Sequence, residues 1–185
     1  MKRVLVPLAA GFEEMEGIII IDVLRRAGAD VVVAGLAPGP ILASRGTRHL
    51  SDVQLYEVAA QDFDMVVLPG GADGARTLAA DPILADVLRR HHSRDAYIGA
   101  ICAAPNVLRN LEILAGEDRF TLHPATLNSG AGGKYVDDQR IVRTRNIITS
   151  IGPGSAFEFA LELVADLFGE AKRREVAGPM FLPGG

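Results

Sequence analysis

Four short apolar runs, each ending at small residues, constrain this chain more than any other feature in it. They are residues 4–8 (Val-Leu-Val-Pro-Leu), 30–35 (Asp-Val-Val-Val-Ala-Gly), 65–69 (Met-Val-Val-Leu-Pro) and 97–101 (Tyr-Ile-Gly-Ala-Ile). A strand with one wet face alternates polar and apolar residues, whereas a strand covered on both faces does not. Helical signals fill the gaps. One helix opens at Glu13 and Glu14, where anions suit the helix dipole, and runs to about Ala27 with Gly28 as its C-terminal cap. Another has Asp81 as its cap and Pro82 at its first position, with Ile83, Leu84, Val87 and Leu88 on its apolar face. Strands alternating with helices imply an α/β chain, a mostly parallel sheet between two helical layers.

The rest of the chain reads less sharply. Short strands are expected near residues 41–44 and 49–50, a strand end at 121–124, a loop at 128–133, and a hairpin from 140–143 and 147–150. Ser155 and Glu158 have capping-box spacing, and Ala156, Phe159, Ala160, Leu163, Val164 and Leu167 then form a helical stripe up to Gly169. A last short helix over about residues 170–176 precedes a Pro- and Gly-rich tail, 179–185. No linker or repeat divides the 185 residues, so one domain is expected over 1–185. A net charge of −4 offers no basic field for nucleic acid, and no apolar run approaches the ~18 residues that span a bilayer. A single cysteine cannot form an internal disulfide, and the N-terminus lacks a signal-peptide pattern, which points to the cytoplasm.

That cysteine, Cys102, stands where the fourth run ends and a helix opens. Gly99 and Ala100 precede it, Ala103 and Ala104 follow, and Pro105 suits a helical first turn. This is the layout of a nucleophile elbow, a sharp strand-to-helix turn that projects one side chain above the sheet edge. A helix N-terminus there favours thiolate over thiol. A buried cysteine that merely packs is the competing reading.

In parallel sheets, sites form beyond the carboxyl ends of the strands, which narrows the search. Glu16 shares a helix face with Ile19, Ile20 and Val23, so its carboxyl group is expected to be buried, with a raised pKa. Such a group donates a hydrogen bond or moves a proton beside a thiol; a glutamate at the stripe's margin with its head in solvent is the alternative. Glu13 and Glu14 need no explanation beyond the helix dipole. Gly70 and Gly71 leave backbone N–H groups free to point at an anion and, with the N–H of Ala103, to hold an oxyanion; a plain tight turn is the alternative. Among four histidines, His123 in Thr-Leu-His-Pro is the best partner for a thiol, while His91 and His92 read as solvated or dipole-related. Gly132-Gly133-Lys134 lacks the residues of a phosphate loop. No spacing suggests a metal site.

Taken together, Glu13-Glu14-Met15-Glu16, Asp22-Val23-Leu24-Arg25-Arg26-Ala27-Gly28, Val66-Val67-Leu68-Pro69-Gly70-Gly71, Ala100-Ile101-Cys102-Ala103-Ala104-Pro105 and Gly152-Pro153-Gly154 before Phe157-Glu158-Phe159 closely resemble the ThiJ/PfpI superfamily. Within it they are most similar to the branch of small proteins typified by the parkinsonism-associated deglycase. The motifs fall in order from about Lys2 to Val176. The resemblance implies a flavodoxin-like three-layer sandwich, a homodimer, and no cofactor. It implies that Cys102 is the reactive cysteine, that Glu16 is a protonated carboxyl group bonded to it, and that His123 is the nearby histidine. Gly71 and Ala103 match the family's backbone donors. Arg26 and Arg45 match arginines near the site or dimer interface, with Pro153 as a further contact of that kind. The implied activity is glutathione-independent conversion of methylglyoxal or glyoxal, small dicarbonyl substrates, to the hydroxy acid, with repair of early glyoxal adducts on protein and nucleotide. A redox sensor or oxidative-stress chaperone acting through oxidation of Cys102, with little catalysis, is the second implied role. Two departures stand out. Ala103 replaces the histidine of protease-like members, which argues against a thiol protease, and Ala72 replaces a polar amide that is common after the double glycine.

Overall fold

The structure, a computed structural model, describes residues 1–128 and 132–182. In chain order, β1 (Arg3–Leu8), α1 (Glu14–Arg26) and β2 (Asp30–Gly35) come first, then a small hairpin of β3 (Ile41–Leu42) and β4 (Arg48–His49). There follow β5 (Val53–Gln54), the one-turn α2 (Leu55–Val58), β6 (Met65–Leu68), α3 (Ala72–Ala80), α4 (Pro82–Ser93) and β7 (Tyr97–Ile101). After β7 come α5 (Pro105–Asn110), the paired β8 (Arg119–Phe120) and β9 (Lys134–Tyr135), the hairpin β10 (Ile141–Thr144) and β11 (Ile147–Ser150), and finally α6 (Ala156–Phe168) and α7 (Glu170–Ala177).

Seven strands form the central sheet in the order β10-β11-β7-β6-β1-β2-β5. Every pairing in it is parallel except that of β10 with β11. This is the flavodoxin-like α/β architecture. The unbroken apolar runs are explained by where their side chains go. Val4, Val6 and Leu8 pack on one face with Ile20 and Val23 of α1 and Phe159 and Leu163 of α6. Leu5, between them in sequence, packs on the other face with Leu78, Leu84, Leu88 and Leu108. Val67 and Val66 divide in the same way. Burying each such side chain is worth about 1.5–3 kcal/mol, so a polar residue is costly on either face.

The helix signals hold where they are local. Asp81 accepts the Leu84 N–H at 2.8 Å with Pro82 leading α4, and Gly28 follows α1 at φ +88°. The whole stripe from Ala156 to Leu167 is buried. Other expectations need correction. The Ser155–Glu158 capping box does not form: the Ser155 hydroxyl turns to Gly152 O and Ser150 Oγ, and Glu158 pairs with Arg140. Ile83 is exposed rather than part of the apolar face of α4. His91 is not solvated; it is 3% exposed, and burial, followed by the charges of Arg94 and Arg90, pushes its pKa down to about 4. The strand end expected at residues 121–124 lies earlier, at β8, and a 3-10 turn occupies Pro124–Thr126. Of the expected loop at 128–133 and tail at 179–185, residues 129–131 and 183–185 lie outside the described residues. Among the described residues, no helix is long and apolar enough to cross a membrane.

Candidate active site

The five main parallel strands run β2-β1-β6-β7-β11, so chain progression reverses between β1 and β6. A crevice opens beyond the strand ends at such a point. Here the first turn of α1 follows β1, Gly70-Gly71 follow β6, and Cys102 follows β7.

Cys102 has φ +62°, the left-handed region that costs a non-glycine residue roughly 1–2 kcal/mol. The surroundings hold it there. Its N–H donates to Ser150 O at 2.9 Å, its carbonyl accepts the His123 N–H at 3.0 Å, and the Ala104 N–H closes the turn on Ile101 O at 3.0 Å. The elbow expected from the small residues is therefore present, and the N–H groups of Gly71 and Ala103 both donate to the sulfur.

Glu16 is fully buried, as its helix face implies. Its Oε2 accepts the Gly70 N–H at 2.8 Å, its carboxyl group is hydrogen-bonded to the Cys102 thiol, and its Oε1 has no hydrogen-bond partner. The local arrangement at the start of α1 explains why the side chain is available. Glu13 is the N-cap, its Oε2 accepting the Glu16 N–H at 2.9 Å. In a capping box the third residue of the helix would reach back to the N-cap N–H. Here Gly70 O takes the Glu13 N–H at 3.0 Å instead, so the Glu16 side chain turns toward β6 and the sulfur. Only glycine fits at position 70. A Cβ there would lie 2.5 Å from Cys102 Cβ, 2.7 Å from Glu16 Oε2 and 2.8 Å from Ile101 O.

The electrostatics centre on one proton shared by two groups. Burial, with a smaller push from the charge of Glu13, raises the Glu16 pKa from 4.5 to about 7 against the bonds from Gly70 and Cys102. Burial and the Glu16 charge push the Cys102 thiol up to about 12, opposed by the Gly71 and Ala103 N–H groups. The expected lowering by the helix N-terminus is thus outweighed while Glu16 is ionised. When Glu16 carries the proton, its repulsion is gone and only burial opposes the thiolate. The sulfur is also less accessible than expected, Cys102 being 8% exposed.

Other candidate residues divide. Gly70 does not present a free N–H, because Glu16 occupies it; Gly71 and Ala103 are the two donors at the sulfur. His123 meets the elbow through its backbone. Its side chain is exposed and lies beside Gly152, whose added Cβ would sit 3.5 Å from the ring. Pro153 follows in the same turn. Arg26 is not brought to the sulfur: it is exposed, pairs with Asp22 at 2.6 Å, and lies ten residues further along α1, about 15 Å at 1.5 Å per residue. Arg45 is exposed on the β3–β4 turn, where its N–H donates to Glu14 at 2.9 Å. Ser44 and Thr47 hydroxyls bond the same carboxylate, so Glu14 ties this hairpin to α1. Glu13 and Glu14 therefore do more than answer the helix dipole. For Glu13 a glutamate three residues before Glu16, ahead of an apolar run, was the available signal. Among the described residues, no three His, Cys, Asp or Glu side chains are placed to hold a metal ion.

Known proteins share the sequence pattern and the fold. The DJ-1/PfpI family pattern matches residues 2–166. The chain is 44% identical to the fruit fly (Drosophila melanogaster) protein dj-1beta over 180 residues, 95% of each chain. The crystal structure of that fly protein superposes with a TM-score of 0.92 at 43% identity, covering 98% of both chains. It is 39% identical over 172 residues to glutathione-independent glyoxalase DJR-1.2 of Caenorhabditis elegans, covering 92% of this chain and 90% of that protein.

Proposed function

The chain belongs to the DJ-1/PfpI family, and from that premise we propose that it is a cofactor-free, cysteine-dependent glyoxalase that also acts as a deglycase. Its substrates on this reading are methylglyoxal, glyoxal and the early adducts they form on protein and nucleotide. The observation that carries it is the Glu16 carboxyl group bonded to a thiol held at a strained elbow. The name of the worm relative supports the same chemistry.

The proposed steps use these groups in turn. Cys102 sulfur bonds to the aldehyde carbon, and the proton lost by the thiol–carboxyl pair passes to the aldehyde oxygen, giving a hemithioacetal. The Gly71 and Ala103 N–H groups stabilise the negative charge that develops. Glu16, through Oε1, removes the hydrogen on that carbon as a proton and returns it to the neighbouring carbon, by way of an enediol. On this reading the exposed His123 ring relays the proton between the two oxygens. The product of this transfer is a thioester of the hydroxy acid. Water cleaves it, releasing hydroxy acid and restoring the thiol, so one dicarbonyl and one water give one hydroxy acid with no outside oxidant.

We place this activity in a homodimer in the cytoplasm. Met15 and Ile18 on α1 and Phe157 on the adjoining α6 expose apolar surface that a second copy covers. A single cysteine suits a reducing compartment. The test is hydroxy-acid formation from methylglyoxal by purified protein. Cys102→Ser abolishes it, because a neutral hydroxyl at this site is a far weaker nucleophile. Turnover at the unmodified rate in that variant sinks the mechanism. Two N–H donors at the same sulfur, ready for added oxygens, favour sulfinate formation as a second reading. On that reading peroxide creates a new binding activity; on the first it only removes turnover.

A further inference from the structure

We propose that Glu13 is a positioning residue of the candidate site: its side chain fixes the first turn of α1 beneath Glu16, and its negative charge biases the shared proton toward Glu16 and away from Cys102. This rests on the Glu16–Cys102 pairing used above but not on the identity of the substrate.

Three observations carry it. Glu13 is 8% exposed, an unusual place for a carboxylate that has no cationic partner among the described residues. Among the described residues its side chain bonds only the N–H of Glu16 itself, at 2.9 Å, so the two acidic residues are joined by a direct contact. Its own N–H is fixed on Gly70 O at 3.0 Å, while Gly70 N–H holds Glu16 Oε2, so one glycine registers both glutamates against the end of β6. A serine, aspartate or asparagine would cap the helix equally well. What glutamate adds is a longer arm and a charge directed at the next acidic group.

The groups that bear on Glu16 are few. The Cys102 thiol faces it from the β7–α5 elbow, the Gly70 N–H from the end of β6, and the Glu13 carboxylate from its own helix. The Glu13 charge raises the proton affinity of Glu16, to whose backbone N–H the same carboxylate is bonded. A charge that favours the proton on one member of the pair more than on the other leaves more thiolate at neutral pH.

The experiment is the iodoacetamide alkylation rate of the reduced protein between pH 5 and 9, beside its thermal midpoint. Glu13→Gln retains an oxygen to accept the Glu16 N–H but removes the charge; Glu13→Asp retains both. A carboxylate on the adjoining turn is worth about half to one pKa unit, so Glu13→Gln lowers the rate at pH 8 by about three- to tenfold. Glu13→Asp restores it to within about twofold. In a Glu16→Gln background no carboxyl group is left to respond, and adding Glu13→Gln changes the rate by less than about twofold. If Glu13→Gln does not fold, Glu13→Asn supplies a shorter neutral cap with the same expected loss. A Glu13→Gln profile that overlays the unmodified one overturns the proposal. So does a Glu13→Asp loss as large as that of Glu13→Gln, since packing alone would then explain both. Alkylation needs no dicarbonyl turnover. Protein that alkylates as stated yet forms no hydroxy acid overturns the proposed activity and leaves this inference standing.

Discussion

Replacing Glu16 by glutamine separates the carboxyl group's proton from its shape. The amide oxygen still accepts the Gly70 N–H, and the amide nitrogen stays beside the sulfur as a neutral donor. Burial raises the Glu16 pKa from 4.5 to about 7. At about 1.4 kcal/mol per unit, that displacement corresponds to roughly 3 kcal/mol of pH-dependent stability. The sign follows from proton counting. Below pH 4.5 folded and unfolded chains both hold the proton, and stability is at its highest. Between 4.5 and 7 the folded chain keeps a proton that the unfolded chain has released, so stability falls as pH rises. Above 7 the loss is complete. The glutamine variant has no such dependence. Its melting temperature minus that of the unmodified protein therefore climbs between pH 4.5 and 7.5. For a chain of this size 1 kcal/mol corresponds to roughly 2–4 °C, so the climb is about 6–12 °C. Parallel thermal melts of the reduced proteins, a half pH unit apart, measure it, and titrating groups remote from Glu16 cancel in the difference. A difference that stays flat across that window refutes a buried, proton-holding Glu16.

Gly70→Ala drives a Cβ against Cys102, Glu16 and the Ile101 carbonyl, and overpacking of this kind costs about 1–3 kcal/mol. Alkylation of Cys102 should slow by more than about tenfold, and unchanged kinetics would show that the close approach is not real. His91, with its pKa at about 4 instead of 6.5, releases on folding a proton that the unfolded chain keeps, so it destabilises progressively as pH falls from 6.5 toward 4. His91→Leu should flatten that acid limb in denaturant titrations, and an unaltered limb counts against burial of the neutral ring. Glu14→Ala releases the Ser44–Thr47 turn from α1, and limited proteolysis should cut between residues 43 and 48 faster than in the unmodified protein.

What could be read in advance follows the range of the forces involved. Doubly buried strands announce themselves because both faces demand apolar residues, and Glu16 stood out as the one carboxyl group in such a stripe. The Asp81–Pro82 start was legible because a cap is a contact between close neighbours. Helix α3 was not, since Gly74 reads as a helix breaker; its glycine is needed because a Cβ there would meet Phe12 N at 2.6 Å, a contact from another part of the chain. Ser155 had the right spacing for a cap, yet Ser150 lay closer to its hydroxyl, at 2.7 Å. His91 looked like a dipole partner at a charged helix end, and only packing against the sheet revealed it as buried. Arg26 matched a family position, but its carboxylate partner one turn away claimed it.

The elbow at residue 102 is held from outside its own segment, by the carbonyl of residue 150 on one side and the amide of residue 123 on the other. Reactivity at this sulfur is therefore a property of the finished molecule. A nascent chain stalled on the ribosome before β11 emerges would carry its cysteine without the conformation that sets it apart. Such a chain should react with thiol reagents like any unstructured peptide, which makes trapping rate a clock for the last step of assembly.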